Sequence, residues 1–160
     1  MKRPNEHEEN GTFQTFEDLE VYKKAREFRK SMYAITRKLP LFEKYELGSQ
    51  VRRASLSLTN NIAEGHGRYH YLDQIRFQLQ ARGSLSELMD DLNVCENENY
   101  LANDEITPLK ARAKEVQRLI NGYIRYLRRR KVGDSPLVRE SDERYKNDDE
   151  IDTPCNDLTS

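Results

Sequence analysis

Apolar residues recur at helical spacing in four stretches of this chain. In the first, Val21, Ala25, Phe28, Met32, Ile35 and Leu39 follow one another at steps of four and three, which predicts a helix from about Phe16 to Leu39. Pro40 stops that pattern, since a proline supplies no N–H to the preceding turn. The second stretch carries Leu47, Val51, Ala54, Leu58 and Ile62 and runs into Gly65-His66-Gly67, read as a glycine C-terminus. The third, from about Tyr71 to Asn97, has Phe77, Ala81, Leu85, Leu88, Leu92 and Cys95 as its expected core stripe. In the fourth, Asn103 or Asp104 caps a helix that runs to about Lys131 on Ile106, Leu109, Ala113, Val116, Ile120, Tyr123, Ile124 and Leu127, with Pro108 near its first turn. No strand pattern competes. The links are short, so consecutive helices should be antiparallel neighbours. The expected fold is all-α, an up-down-up-down four-helix bundle over residues 16–132, with a flexible leader at 1–15 and a disordered acidic tail at 133–160.

Polar residues repeat at the same spacing. Beside the apolar stripe of the second helix run Arg53, Ser57, Asn60 and Glu64, and beside that of the third run Arg76, Gln80, Gly83 and Glu87. Paired antiparallel, Arg53 with Glu87, Ser57 with Gly83, Asn60 with Gln80 and Glu64 with Arg76, the residue numbers always add to 140, as two facing antiparallel helices require. Either the two helices share a polar seam here, with Gly83 giving room for close approach, or these are two separate solvated faces. Opposite the core, the first helix presents Lys23, Arg26, Lys30 and Arg37, and the fourth presents Lys114, Arg118, Arg125 and Arg129 and closes on Arg128, Arg129, Arg130 and Lys131. Some of that last cluster suits a helix C-terminus. Four cations in a row exceed what capping needs.

Composition changes the picture in one respect. The chain has 160 residues, 36% apolar and 34% charged, no Trp and a mean hydropathy of −0.98, so core material is scarce outside the four stripes. The formal net charge of −1 conceals an asymmetry: residues 133–160 hold nine acidic and three basic residues, while residues 16–132 hold 22 basic and 16 acidic. A basic body is followed by an acidic tail. Two cysteines, Cys95 on a core stripe and Cys155 in the tail, make no disulfide framework. With no apolar run near membrane length and no signal-like N-terminus, a cytoplasmic protein with no membrane partner is expected.

Catalytic and metal-binding readings find little support. A di-iron bundle needs Glu-x-x-His motifs, yet Pro4, Ala63 and Gly67 stand three residues before His7, His66 and His70. Gly65-His66-Gly67-Arg68 follows a helix and lacks the Lys-Ser/Thr ending of a phosphate loop. Cys95 belongs to the core as an inert thiol. No enzyme, metal or cofactor is expected. The basic outer stripes of the first and fourth helices, neighbours in such a bundle, would merge into a phosphate-binding surface. The competing reading is a protein–protein adaptor or scaffold that does not bind nucleic acid.

FEDLEVYKKAREF, LGSQVRRASLSLTNNIAEGHGR and IRFQLQARGSLSEL together resemble the bacterial four-helix-bundle proteins encoded within intervening sequences of 23S ribosomal RNA genes. The resemblance covers about Phe16 to Lys131, and the combination of NIAEG with ARGSLSEL is specific. That family is in turn similar to the accessory protein of diversity-generating retroelements, a basic homopentamer that binds nucleic acid and partners a reverse transcriptase. The resemblance therefore implies a homo-oligomer, pentameric by that comparison, with RNA favoured as ligand and a reverse transcriptase or RNA-processing enzyme as partner.

The tail follows directly on the most basic segment of the body. Tethered there, it should compete with phosphates at an effective concentration on the order of millimolar. Deleting residues 133–160 should raise RNA affinity at low salt, with the gain shrinking as salt screens both attractions. Titration of full-length and truncated protein against one labelled RNA at two salt concentrations checks this; equal affinities at low salt would make the tail a bystander.

Overall fold

The computed structural model describes residues 15–132; the expected leader, apart from Thr15, and the expected tail lie outside them. Four helices are present: α1, Glu20–Thr36; α2, Leu47–His66; α3, Tyr71–Asn97; and α4, Asn103–Val132. Short 3-10 turns at Phe16–Asp18 and Leu41–Glu43 precede α1 and α2. The first helix starts at Glu20 instead of Phe16 because Leu19 is extended, at φ −64° and ψ 127°. The preceding turn is held by the Thr15 N–H donating to Asp18 Oδ2 at 2.9 Å. Pro108 sits inside α4 one turn from its start, where the absent N–H leaves only a single carbonyl of the first turn without its helical donor.

Each neighbouring pair of helices packs antiparallel. Arg29 Nη1 of α1 donates to Thr59 Oγ1 of α2 at 2.7 Å, and Ser57 and Ser84 link α2 to α3 through their hydroxyls at 2.9 Å. Lys110 of α4 reaches Glu96 of α3 at 2.5 Å, and Lys24 of α1 pairs with Glu115 of α4 at 3.1 Å. The result is a closed up-down-up-down bundle, with no strand among the described residues. Its core contains every apolar position expected from α1 and α2, together with Ile106, Leu109, Ala113, Val116, Ile120, Ile124 and Leu127 of α4. In α4, Tyr123 is only half-buried and packs on the edge of the core.

The α3 stripe is rotated from expectation at its first turns. Phe77 is half-buried at the surface, with the Arg68 guanidinium 4.7 Å from its ring centre. Ile75 and Gln78 fill the interior there instead. The reason is the path of α2, which comes so close at Gly65 that a Cβ on that residue would stand 2.9 Å from Phe77 Cβ and 3.2 Å from Gln78 Nε2. Gly65 is therefore a contact residue. No glycine among the described residues has positive φ, and Gly67 has φ −77°, so the GHG segment does not end α2 through a left-handed glycine. Such a terminus occurs at α3. Asn99 has φ 56°, the Tyr100 N–H donates to the Cys95 carbonyl at 2.9 Å, and the Asn99 N–H donates to the Glu96 carbonyl at 3.1 Å. These are the two bonds of a Schellman motif, with asparagine in the position glycine usually takes.

Two glycines on neighbouring helices thus make opposite predictions. A methyl group at Gly65 must push α2 off α3, so Gly65→Ala should destabilise by about 1–3 kcal/mol. At Gly83, exposed and with nothing within 4 Å of an added Cβ, alanine should stabilise by roughly 0.5–1 kcal/mol through helix propensity. Urea melts of the two variants check both signs, and a stabilised Gly65→Ala would disprove the close contact.

Candidate nucleic-acid interface

The outward cations of α1 and α4 occupy two tracks, and the seam between the two helices is occupied by carboxylates. Lys23, Arg26, Lys30 and Arg37 line the outer face of α1; Lys23, Lys30 and Arg37 are exposed. On α4, Lys114, Arg118, Arg125 and Arg129 are exposed. Their stripe includes Asn121, whose Oδ1 accepts from Arg82 Nη1 of α3 at 3.3 Å, so it leans toward α3. A shallow groove of about 410 Å³ runs along it, lined by Lys114, Gln117, Arg118, Asn121 and Arg125. The flank of α4 that meets α1 carries Glu105, Arg112 and Glu115, at steps of seven and three. Glu115 pairs with Lys24, Glu105 with Lys38, and Arg112 Nη1 donates to Ser31 Oγ at 2.7 Å. Glu27 of α1 pairs with Lys30 at 3.1 Å and lies 3.8 Å from Arg26 Nε. Lys30 beside it holds the Glu27 carboxyl below its usual range, and Lys38 does the same for Glu105. The two stripes therefore do not merge into one continuous surface. A charge-compensated strip divides them.

Pairing separates the cations into two groups. Lys24, Lys38 and Lys110 have carboxylate partners across helix seams. Among the described residues, no carboxylate pairs with Lys23, Arg37, Lys114, Arg118, Arg125 or Arg129. At the end of α4, Arg130 Nη1 donates to the Tyr126 hydroxyl at 2.7 Å and Arg128 is half-buried; the side chain of Lys131 is outside the described set.

The α2–α3 stripes sit one step from where the repeat placed them. Arg53, Asn60, Glu64, Arg76, Gln80, Gly83 and Glu87 are exposed, and only Ser57 of the eight is half-buried. Arg53 Nη1 donates to Ser49 Oγ of its own helix at 2.6 Å, and Glu64 pairs with Arg68 instead of Arg76. The polar contacts that cross the interface are Ser57 to Ser84 and Gln50 Nε2 to Asp91 Oδ1 at 3.0 Å, pairs whose residue numbers add to 141. The antiparallel register differs from the expected 140 by one residue, which moves the line of contact from Gly83 to Ser84.

Asp91 is the buried carboxyl of this interface, with 3% of its surface exposed and no hydrogen-bond partner for Oδ2. Burial, followed by the like charges of Asp90 and Glu87, pushes it up to about 6. Nearby, burial pushes the Cys95 thiol up to about 11, which leaves it unreactive. Tyr100 donates to Glu43 Oε1 at 2.9 Å, and that bond pushes its hydroxyl up to about 12. Among the described residues no group of three or more His, Cys, Asp and Glu side chains converges as a metal site would require, and no helix is long and apolar enough to cross a membrane.

Sequence reasoning passed over the corner between α1 and α2. There Leu41, Phe42 and Tyr45 are 80, 71 and 78% exposed, interleaved with Lys44 and followed by Arg52. The available signal was LFEKY itself, aromatic and basic residues alternating in a link too short to hold a core.

A closed antiparallel bundle with carboxylate-paired seam lysines and cationic outer tracks is a small helical protein whose distinctive chemistry lies on its outer faces. The chain belongs to the 23S rRNA-intervening sequence protein family, whose profile matches residues 17–122. Among solved structures it is similar to a protein of unknown function from the S23 ribosomal protein family of Bacteroides thetaiotaomicron, with a TM-score of 0.61 and 19% identity over 65% of this chain and 97% of that one. That likeness supports the bundle fold. No curated protein matches the chain.

Asp91 gives this interface a pH dependence. Its carboxyl titrates near 3.8 in an unfolded chain and near 6 in the fold, so the folded state binds the proton more tightly. Its contribution to stability is full below about pH 3.8 and is lost as pH rises through about 6. Asp91→Asn keeps an acceptor for Gln50 and removes the charge. It should raise stability at pH 8 by up to roughly 3 kcal/mol, with the difference vanishing toward pH 4. Thermal melts across that range check it, and equal gains at both ends would assign the effect to something other than ionisation.

Proposed function

We propose that this protein acts without catalysis, as a homo-oligomeric bundle that binds RNA through its two cationic tracks. On α1 the track is Lys23, Arg26, Lys30 and Arg37; on α4 it is Lys114, Arg118, Arg125 and Arg129, continuing into Arg128, Arg130 and Lys131. The observation that carries the reading is the contrast in pairing: seam lysines have carboxylates, whereas Lys23, Arg37, Lys114, Arg118, Arg125 and Arg129 of the outer tracks have none among the described residues. Phosphates are the partners such side chains lack, and binding would draw its free energy largely from released counterions. The membership of the chain in a family named for an rRNA intervening sequence favours RNA over DNA. The resemblance to retroelement accessory proteins adds a pentameric state, a cytoplasmic setting and a reverse transcriptase or RNA-processing enzyme as partner.

Contacts confined to phosphates would make binding weakly sequence-specific and steeply salt-dependent. Reversing Arg118, Arg125 and Arg129 to Glu should lower affinity for unrelated RNAs alike, by about tenfold or more at low salt, and reduce the salt slope by about 2, at roughly 0.7 per phosphate contact. Lys24→Gln and Lys38→Gln, which remove paired cations, should leave both quantities near the parent values. Fluorescence anisotropy over a salt series measures this, with light scattering reporting the subunit number. Association with a protein partner at an affinity indifferent to salt, and no RNA binding, would establish the adaptor reading instead.

A further inference from the structure

At the corner where α1 passes into α2, a half-open groove of about 650 Å³ has a mixed apolar and cationic lining. Leu39, Leu41 and Tyr45 line it together with Arg37, Lys44 and Arg52; Leu39 is buried, whereas Leu41 and Tyr45 are exposed. The volume falls within the roughly 300–1,000 Å³ of small-ligand pockets. None of the lining side chains is a carboxylate. Of the two acids of the turn, Glu43 accepts the Tyr100 hydroxyl at 2.9 Å and the Leu47 N–H at 3.3 Å, and Glu46 is exposed and outside the lining. Two of the three cations lie over rings instead: the Lys44 ammonium is 5.4 Å from the centre of the Tyr45 ring, and the Arg52 guanidinium 4.2 Å from that of Tyr33. Tyr45 is 78% exposed, so most of its ring is open to a ligand.

We propose that this groove is a binding site for an unstacked base of single-stranded RNA. The base would stack on Tyr45 beside Leu39 and Leu41, with its flanking phosphates on Arg37, Lys44 and Arg52. The inference rests on the RNA-binding reading and deepens it. Two features favour this ligand. A flat aromatic face ringed by dispersed cations matches a base with a phosphate on either side, the combination that single-strand binders use. Arg37 also belongs to the outer track of α1, so a backbone lying along Lys23, Lys30 and Arg37 runs into the groove. A duplex keeps its bases stacked and would meet the track alone.

The test is anisotropy of a labelled single-stranded oligoribonucleotide and of its duplex, against the parent, Tyr45→Ala and Tyr45→Phe. The single strand should bind the parent more tightly than the duplex; Tyr45→Ala should weaken the single strand by about tenfold and leave the duplex nearly unchanged, and Tyr45→Phe should restore binding. Light scattering on the same samples should give one subunit number for all three proteins. A parent that binds both RNAs while Tyr45→Ala binds the single strand equally well overturns the groove and leaves the tracks standing. A parent that binds neither overturns both. If Tyr45→Ala breaks up an oligomer and affinity falls only in step with that, the groove is an interface between copies and the proposal fails.

Discussion

The close approach of α2 and α3 at Gly65 sets the geometry of the bundle. With no side chain there, the α2 backbone packs on Phe77 and Gln78, and Ser57 and Ser84 continue the contact through their hydroxyls at 2.9 Å. Leu58 and Ile62 of α2 and Leu85, Leu88 and Leu92 of α3 are fully buried, so these helices depend on fit at the close contact as well as on apolar burial. Gln78 and Ser55 are buried with side-chain atoms that make no protein hydrogen bond. The apolar stripes of α1 and α4 close the other side of the core with large side chains such as Phe28, Met32, Ile120 and Leu127.

The distribution of charge follows the seams between helices. Where α1 meets α4 and α4 meets α3, long side chains reach across the seams and find carboxylates: Lys24 to Glu115, Lys38 to Glu105, Lys110 to Glu96. Exposed pairs of this kind contribute about 0–1 kcal/mol each, so their effect on stability is small. Their effect on the surface potential is larger, because they neutralise the seams and leave the positive field to the outer tracks. A polyanion approaching the bundle meets two separate rows of cations and an aromatic corner at the end of one of them.

Much of this fold was legible in the sequence. The apolar stripes of α1 and α2, and of α4 but for Tyr123, all entered the core, and α3 has the predicted limits Tyr71–Asn97. What failed was the assignment of flanks. A residue about 100° from the centre of a stripe can border a neighbour or face solvent, and a repeat of three and four does not choose between them. That is why a register of 140 selected Gly83 where the contact runs through Ser84, and why Phe77 was placed inside although Gly65 draws α2 over the adjacent turn. The same ambiguity let the basic stripes of α1 and α4 be read as contiguous, when Glu105 and Glu115 occupy the flank between them. Residues 41–46 were passed over for a different reason: a link has no periodicity, so the composition of LFEKY was the one signal of its exposed aromatics.

The outer tracks and the α1–α2 corner, and not the lysines paired across helix seams, are proposed to contact RNA. Lysine footprinting tests this most directly, by comparing acetylation of each lysine with and without bound single-stranded RNA by mass spectrometry. The account predicts protection of Lys23, Lys44 and Lys114 and unchanged labelling of Lys24, Lys38 and Lys110. Protection confined to the second set, or none at saturating RNA, would contradict it.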